Sequence, residues 1–271
     1  FAFQPADFAK LVLIALLAKY FSRRHMEIQH ISHIFISGIY AAGIVLLVLV
    51  QPDLGTAVIL MSIWFGMVLV SGISKKHLAL VLTLGLVAAG TLWTFGLHDY
   101  QRTRIMAFVH PTSDIHGSGY NAYQATVAAG SGQLWGKGIG YGTQSKLRFL
   151  PEYETDFIFA AFAEEWGFVG VVLLLTLYAL LLFQLIRISR LSATNFDALF
   201  TLGVALLIMA HVAIHAGINL GLLPVTGTTI PFMSSGGSHV VMEFMALGIV
   251  ASLSLQGRSV PREQSLQEYE G

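Results

Sequence analysis

Three carboxylates stand close together where the longest polar segment of the sequence ends. Glu152, Glu154 and Asp156 lie within five residues, and the longest apolar run of the chain follows them directly. A carboxylate at this junction is fixed at the head of a helix, where water meets a bilayer. Such a group suits general base chemistry, and Asp156 is the leading candidate. The alternative is a structural role, with Thr155 or Asp156 capping the helix and stabilised by its dipole.

Two further carboxylates, Glu164 and Glu165, interrupt the apolar run two helical turns deeper. Ionised carboxylates are costly inside a bilayer, so both must face protein, water or a cation. One interpretation is a structural pair that anchors neighbouring helices. The other is a proton or substrate pathway.

A lysine and an aspartate are expected at similar depth on one side of the membrane. Lys10 lies near the start of the first apolar segment, and Asp53 lies at the end of the second. A buried lysine without a partner is strongly disfavoured, so the positions predict a Lys10–Asp53 ion pair. Asp7 and Asp99 are other possible partners, and a substrate-binding role is the alternative.

Polar residues also recur near the carboxyl end of the chain. His211, His215 and Asn219 repeat every four residues and therefore share one helix face. This predicts interhelical hydrogen bonds; a His-x-x-x-His zinc site is the alternative, but a third ligand is not evident and no metal is predicted. Glu243 is expected to pack inward.

A serine- and glycine-rich stretch precedes the last apolar segment. Ser234 to Ser238 opens that segment, and its amides and hydroxyls could cradle an anionic group at a helix N-terminus. A plain capped turn is the alternative.

The composition identifies an integral membrane protein. Of 271 residues, 55% are hydrophobic and 11% are charged, against about 25% charged in soluble domains. The net charge of zero gives no reason to expect nucleic acid, and the absence of cysteine excludes disulfides and thiol chemistry. Because the chain starts at Phe1 and not at a methionine, we expect its native start to be missing.

The apolar segments predict an all-α, polytopic fold without a soluble domain. A spanning helix needs about 20 largely apolar residues. Seven candidate spans are found, at about 5–21, 34–50, 56–72, 78–97, 156–188, 199–223 and 239–255.

The distribution of basic residues predicts the orientation. Short loops after the first, third, fifth and seventh segments carry Lys or Arg and are placed in the cytoplasm by the positive-inside rule, as is a tail over 257–271. The large loop over 98–155 then lies outside. Its many aromatic residues and glycines predict tight turns and short helices on the membrane surface.

These stretches together resemble the SEDS family, the RodA/FtsW peptidoglycan polymerases of bacteria. The matching motifs are Gln-Pro-Ala-Asp with Lys10, Gln-Pro-Asp-Leu-Gly-Thr at 51–56, Asp-Tyr-Gln-Arg at 99–102 with Arg104, Gly-Lys-Gly at 136–138, Gly-Thr-Gln-Ser at 142–145, Leu-Pro-Glu at 150–152, Thr-Asp-Phe at 155–157, Ala-Glu-Glu at 163–165 with Gly167, Gly-Leu-Leu-Pro-Val-Thr-Gly at 221–227, and Ser234 with Gly-Gly-Ser at 236–238. The form of the 51–56 motif favours the elongation, RodA-like branch. The resemblance implies a ten-helix fold of which this single domain, 1–271, supplies helices four to ten.

The chain departs from the usual residues of that family at several positions. It has Ala6-Asp7 for Ser-Glu, Glu154 for His, Ser235 for Tyr and His215 for Asn. Because like charges raise the proton affinity of a carboxylate, Glu154 is expected to raise the pKa of Asp156.

The resemblance implies a glycosyltransferase that polymerises lipid II during cell-wall elongation, at the outer face of the bacterial inner membrane. It implies Asp156 as the catalytic base. The substrate-binding candidates are Arg102, Arg104, Lys137, Lys146, Glu152, Ser234 and Ser238. Cofactors are left open, a divalent cation included. Implied partners are a class B penicillin-binding transpeptidase, other membrane proteins of the elongation complex and membrane lipids. A lipid II flippase and a noncatalytic scaffold that activates the transpeptidase remain alternatives.

Overall fold

The computed structural model describes residues 4–23, 31–110, 117–146 and 152–259, and this part of the chain contains helices and no strand. The ten α-helices are α1 (Pro5–Ser22), α2 (Ile31–Val50), α3 (Leu54–Val70), α4 (Lys75–Thr91), α5 (Asp99–Val109), α6 (Ser118–Ser131), α7 (Thr143–Lys146), α8 (Ile158–Arg190), α9 (Asn195–Asn219) and α10 (Gly237–Ser259). A π-helical turn, Leu92–Gly96, extends α4. The all-α prediction is confirmed.

Within the described residues, five helices are long and apolar enough to cross a membrane. They cover Ile31–Val50, Lys75–Gly96, Ile158–Arg190, Asn195–Asn219 and Gly237–Leu255. The apolar helix α3 is shorter, and α1 carries three charged side chains. Each of the seven predicted spans therefore corresponds to a helix, but their number as membrane crossings stays a prediction.

The bundle is built around α9, which packs against α1, α3 and α8. Side chains of α1, α3 and α9 form the main apolar core, with fully buried Leu13, Ile63 and Val204 among them. Helices α1 and α9 approach closely at Gly203, where an added Cβ atom would lie 2.5 Å from a methyl group of Ile14. Burial of this core stabilises the arrangement that brings the polar residues of α1 and α9 together.

The loop predicted over 98–155 contains α5, α6 and α7, so the prediction of short helices is confirmed within its described residues. Helix α5 is anchored on the turn between α2 and α3. The hydroxyl of Tyr100 and the side-chain amide of Gln101 donate to the Pro52 carbonyl, at 2.7 and 3.3 Å. This contact joins two of the motifs found in the sequence and fixes α5 over the end of the bundle.

Helix α8 is interrupted at Gly167, where φ is +67°. The segment 133–138 fills the break with backbone hydrogen bonds. The amides of Phe168 and Val169 donate to the Gln133 and Leu134 carbonyls at 2.8 and 3.1 Å. Glycine is needed at this position because a side chain would collide with the inserted backbone.

The predicted orientation can be tested with single cysteines, because the native chain has none. Ile139 is 69% exposed in the large loop, and Lys76 is exposed at the start of α4. We expect Ile139→Cys to react with an impermeant maleimide in intact cells and Lys76→Cys to react only after lysis. The reverse labelling pattern would overturn the orientation.

Candidate active site

Asp156 belongs to a tight turn that precedes α8. The amides of Thr155 and Phe157 both donate to the Glu152 carbonyl at 3.2 Å, and Glu152 has a φ of +54°. This turn draws the side chains of residues 152 and 156 towards each other. Helix α8 begins at Ile158, so the predicted start at Asp156 was two residues too early.

The carboxylate of Asp156 faces the guanidinium of Arg104 across Gly227. A Cβ atom added to Gly227 would lie 3.5 Å from Asp156 Oδ2 and 3.9 Å from Arg104 Nη1. Gly227 has a φ of +72° and leaves room for both groups. The segment after α9 thus contributes the floor of the site, which the sequence did not predict.

The pKa of Asp156 is raised to about 6, first by burial and then by the negative charge of Glu152, while the Arg104 guanidinium opposes the shift. The neighbour that raises the pKa is Glu152, and the prediction that Glu154 does so was wrong. A carboxyl group that titrates near pH 6 is a good general base at neutral pH, since it is ionised but still basic.

Two arginines of α5 line this end of the molecule. The Arg104 guanidinium lies over the Tyr100 ring, 5.8 Å from its centroid. Arg102 donates to the Thr94 carbonyl at 3.1 Å, and its Nη1 lies 3.8 Å from Asp99 Oδ1. Arg104 therefore faces the carboxylate directly, while Arg102 contacts the π-helical turn.

The serine-rich stretch before α10 packs on the turn. Ser234 Oγ donates to the Thr155 carbonyl at 2.9 Å, and the Ser235 amide and hydroxyl donate to the Glu154 carbonyl at 3.0 and 3.2 Å. Ser238 Oγ donates to Asp7 Oδ2 at 2.9 Å. The hydroxyls of Ser234 and Ser238 thus have internal partners, and the predicted contact of these residues with substrate stays a prediction.

Lys137 forms an ion pair with the fully buried Glu164, with 2.7 Å between Nζ and Oε1. The same carboxylate accepts hydrogen bonds from Thr143 Oγ1 at 3.0 Å and from the Gln144 amide at 3.2 Å. The pair therefore ties the large loop to α8. Glu165 is half-buried, and the side chain of Lys146 lies outside the described residues.

The predicted Lys10–Asp53 ion pair was wrong. Lys10 Nζ lies 2.9 Å from Asp7 Oδ1 and 3.3 Å from His211 Nε2. Asp53 instead caps α3, where it accepts from the amide and hydroxyl of Thr56 at 2.9 and 2.7 Å. Asp7 is preferred because it stands one helical turn from Lys10, whereas Asp53 finds two donors in the first turn of its own helix.

The Lys10–Asp7 pair is part of a larger buried cluster. His239 Nε2 lies 2.8 Å from Glu243 Oε1, and His239 Nδ1 lies 3.5 Å from Asp7 Oδ1. Glu243 Oε2 also accepts from the Phe232 amide at 3.0 Å. The four charged or titratable residues Asp7, Lys10, His239 and Glu243 are each buried, at most 4% exposed. The sequence analysis missed His239, although its spacing of four residues from Glu243 was a usable signal.

The histidines of α9 bind backbone carbonyls of the segment that follows the helix. His211 Nδ1 lies 2.9 Å from the Thr229 carbonyl, and His215 Nδ1 lies 2.7 Å from that of Thr228. In the part of the chain that the structure describes, no group of three or more acidic or histidine side chains could hold a metal ion. Because both histidines bind carbonyls of the segment that carries Gly227, they fix its position.

Comparison with known proteins agrees with this architecture. The family model of the cell cycle proteins FtsW, RodA and SpoVE matches residues 1–259. The chain belongs to this FtsW/RodA/SpoVE family. The peptidoglycan glycosyltransferase MrdB of Escherichia coli K12 is 38% identical over 251 residues, which cover 93% of this chain and 68% of MrdB. Stage V sporulation protein E of Bacillus subtilis is 36% identical over 262 residues, which cover 95% of this chain and 70% of that protein.

Two solved structures share the FtsW/RodA/SpoVE fold with this chain. One is from a peptidoglycan synthase complex that coordinates polymerization and crosslinking, with a TM-score of 0.78 and 32% identity over 96% of this chain and 72% of the other. The second is Thermus thermophilus RodA, with a TM-score of 0.62 and 29% identity over 95% of this chain and 67% of the other. The predicted membership in this family is confirmed.

Two of the positions at which the chain departs from the usual family residues contact each other. They are Glu154, whose carbonyl accepts the two hydrogen bonds described above, and Ser235, which donates both. The departures therefore lie together at the edge of the turn that carries Asp156. One of the two hydrogen bonds is made by the Ser235 hydroxyl and needs this side chain, whereas the other is made by the Ser235 amide.

Proposed function

We propose that this protein is a peptidoglycan glycosyltransferase that polymerises lipid II into glycan strands during cell-wall elongation. The family and the names of the relatives support the reaction class. The observation that carries the proposal is Asp156, a half-buried carboxylate beside Arg104 with a pKa of about 6. Its place just before α8 puts it at the end of an apolar helix, where a lipid-linked sugar can reach it.

In the proposed reaction, Asp156 takes the proton of the acceptor's 4-hydroxyl group as that oxygen bonds to the anomeric carbon of the donor sugar. The bond between that carbon and the pyrophosphate oxygen breaks, and undecaprenyl pyrophosphate leaves with the electron pair. Arg104 and Arg102 are placed to bind the pyrophosphate, since arginine can hold phosphate oxygens with two parallel hydrogen bonds. Glu152 tunes the base by raising the pKa of Asp156.

Lys137 has a positioning role in this proposal, because its ammonium group neutralises Glu164 and ties the large loop to α8. Lys146, Ser234 and Ser238 remain candidates for contacts with the lipid-linked sugars. The site would lie at the outer face of the bacterial inner membrane. The solved peptidoglycan synthase complex supports a penicillin-binding transpeptidase as partner.

The flippase alternative is less well supported by the arrangement of the polar residues. Lys10, His211 and Glu243 belong to the buried cluster of α1, α9 and α10. Glu164 instead binds Lys137, Thr143 and Gln144 of the large loop. A polar path through the bilayer would need these residues in one continuous line, and they are held by separate sets of partners.

The activity can be tested with the purified full-length protein, its transpeptidase partner and lipid II. Glycan polymer detected on a gel without an added polymerase is the expected result. Movement of lipid II between leaflets without polymer would favour a flippase, and neither polymer nor movement would favour a scaffold. Either of these outcomes would overturn the proposal.

The pH dependence of polymerisation should identify the neighbour that tunes the base. Asp156 works when ionised, so the rate should fall as the pH drops through about 6. In Glu152→Gln a nearby negative charge is lost, the pKa of Asp156 falls, and activity should persist to lower pH. Glu154→Gln is the matched control and should keep the parental profile. A shift in Glu154→Gln but not in Glu152→Gln would contradict this assignment.

A further inference from the structure

The backbone around Asp156 is bound by other elements at three successive carbonyls. The carbonyls of Glu154 and Thr155 accept from Ser235 and Ser234, as described above. The carbonyl of Asp156 itself accepts from Asn219 Nδ2 at 3.1 Å. The turn is therefore held both by the segment before α10 and by the last residue of α9.

Asn219 makes a second contact with the start of α8. Its Oδ1 accepts the Ala160 amide at 3.0 Å, and its Nδ2 also donates to the His215 carbonyl at 2.8 Å. In a regular α-helix the Ala160 amide would donate to the carbonyl four residues earlier, which is that of Asp156. The Asn219 side chain thus takes the place of the first helical hydrogen bond by binding both of its members.

This insertion explains why α8 begins at Ile158 and not one residue earlier, at Phe157. Asn219 is fully buried, so its amide has no water to bind and depends on these backbone partners. While both bonds exist, the Asp156 backbone is kept out of the helix. Its side chain then points to Gly227 and Arg104.

We propose that Asn219 is a positioning residue for the catalytic base, and that its amide holds Asp156 out of α8 so that the carboxylate faces Arg104. This inference rests on the proposed function. Ser234, which binds the preceding carbonyl, holds the same turn. Without Asn219, the Ala160 amide can bond to the Asp156 carbonyl, and α8 can extend by one residue so that Asp156 becomes its N-cap.

The test is the rate and the pH profile of lipid II polymerisation by Asn219→Ala in the full-length protein with its partner. Small displacements of a catalytic group can cost about 100-fold, and we expect kcat to fall by about 10- to 100-fold with a smaller change in KM. The acid limb should also shift, because burial, Glu152 and Arg104 together set the pKa of Asp156 and a displaced carboxylate changes all three.

The matched control is Ser189→Ala. Ser189 is 5% exposed, and its hydroxyl also joins α8 to α9, by donating to the Ala198 carbonyl at 2.9 Å near the other end of both helices. It should lose comparable stability and keep the parental kcat and acid limb. Equal losses in both variants, or parental kcat and pH profile in Asn219→Ala, would overturn the inference.

Two further variants complete the test. If Asn219→Ala does not fold, Ser234→Ala must show the loss of kcat and the shifted acid limb, and parental values there would overturn the inference. Asp156→Asn separates this inference from the proposed function: if it remains active, the assignment of the base fails. If Asp156→Asn is inactive while Asn219→Ala resembles Ser189→Ala, only the positioning role fails.

Discussion

Asp156→Asn should reduce lipid II polymerisation by about 10²–10⁴-fold, the usual contribution of a general base. The substitution keeps the shape of the side chain, and the hydrogen bonds of the turn are made by the backbone of residue 156. The variant should therefore fold, insert and bind its partner as the parent does. An amide cannot take up the proton of the attacking hydroxyl, so the loss should appear in kcat.

Glu154→Gln is the control for this variant, because Glu154 lies in the same turn and is exposed. This substitution changes a carboxylate into an amide but leaves Asp156 in place, and the polymerisation rate should stay near the parental value. A parental rate in Asp156→Asn, measured in the same purified complex, would remove Asp156 as the base. The remaining candidates for the catalytic base would then be Glu152 and Glu154.

Lys10→Met should lower the free energy of unfolding by about 3–5 kcal/mol, the usual cost of breaking a buried ion pair. Lys10 is 2% exposed, and its ammonium lies between Asp7 and His211. Removal of this charge leaves the carboxylate of Asp7 in the core with Ser238 and His239 as its remaining partners. The loss should appear as a lower melting temperature of the purified protein in detergent.

Lys19→Met is the matched control, because Lys19 is on the same helix but exposed, and exposed charges contribute about 1 kcal/mol or less. The double variant Asp7→Asn with Lys10→Met should recover part of the loss, since neither charge is then buried alone. Parental melting of Lys10→Met would mean that the pair does not stabilise the bundle.

Helices α1 to α4 and α8 to α10 could be predicted from the sequence because each is a largely apolar run of about the right length. Their ends were less predictable where a distant residue decides them. Asn219 lies 63 residues from Asp156, and it decides where α8 begins. Local signals identify a helix cap, but they do not reveal a side chain that arrives from another helix.

The choice of charge partners shows the same limit. Lys10 and Asp53 share a predicted depth, yet depth does not say which side chains face each other around the helix axes. The structure pairs Lys10 with Asp7 in its own helix and adds His239, which no spacing argument had linked to α1. Asp156 could be predicted as the base because an acidic residue at the end of an apolar helix is a local sequence pattern. Gly227 and Asn219 could not be predicted, because they are distant in the sequence and come close to Asp156 only when the chain folds.

The most direct test of the base is the pH dependence of kcat for lipid II polymerisation by the purified parental complex. If Asp156 is the base, kcat should be half-maximal near pH 6 and should rise with the loss of a single proton. The residual rate of Asp156→Asn should lack this transition. A parental kcat that stays constant from about pH 5 to 8, or the same transition in Asp156→Asn, would contradict the assignment.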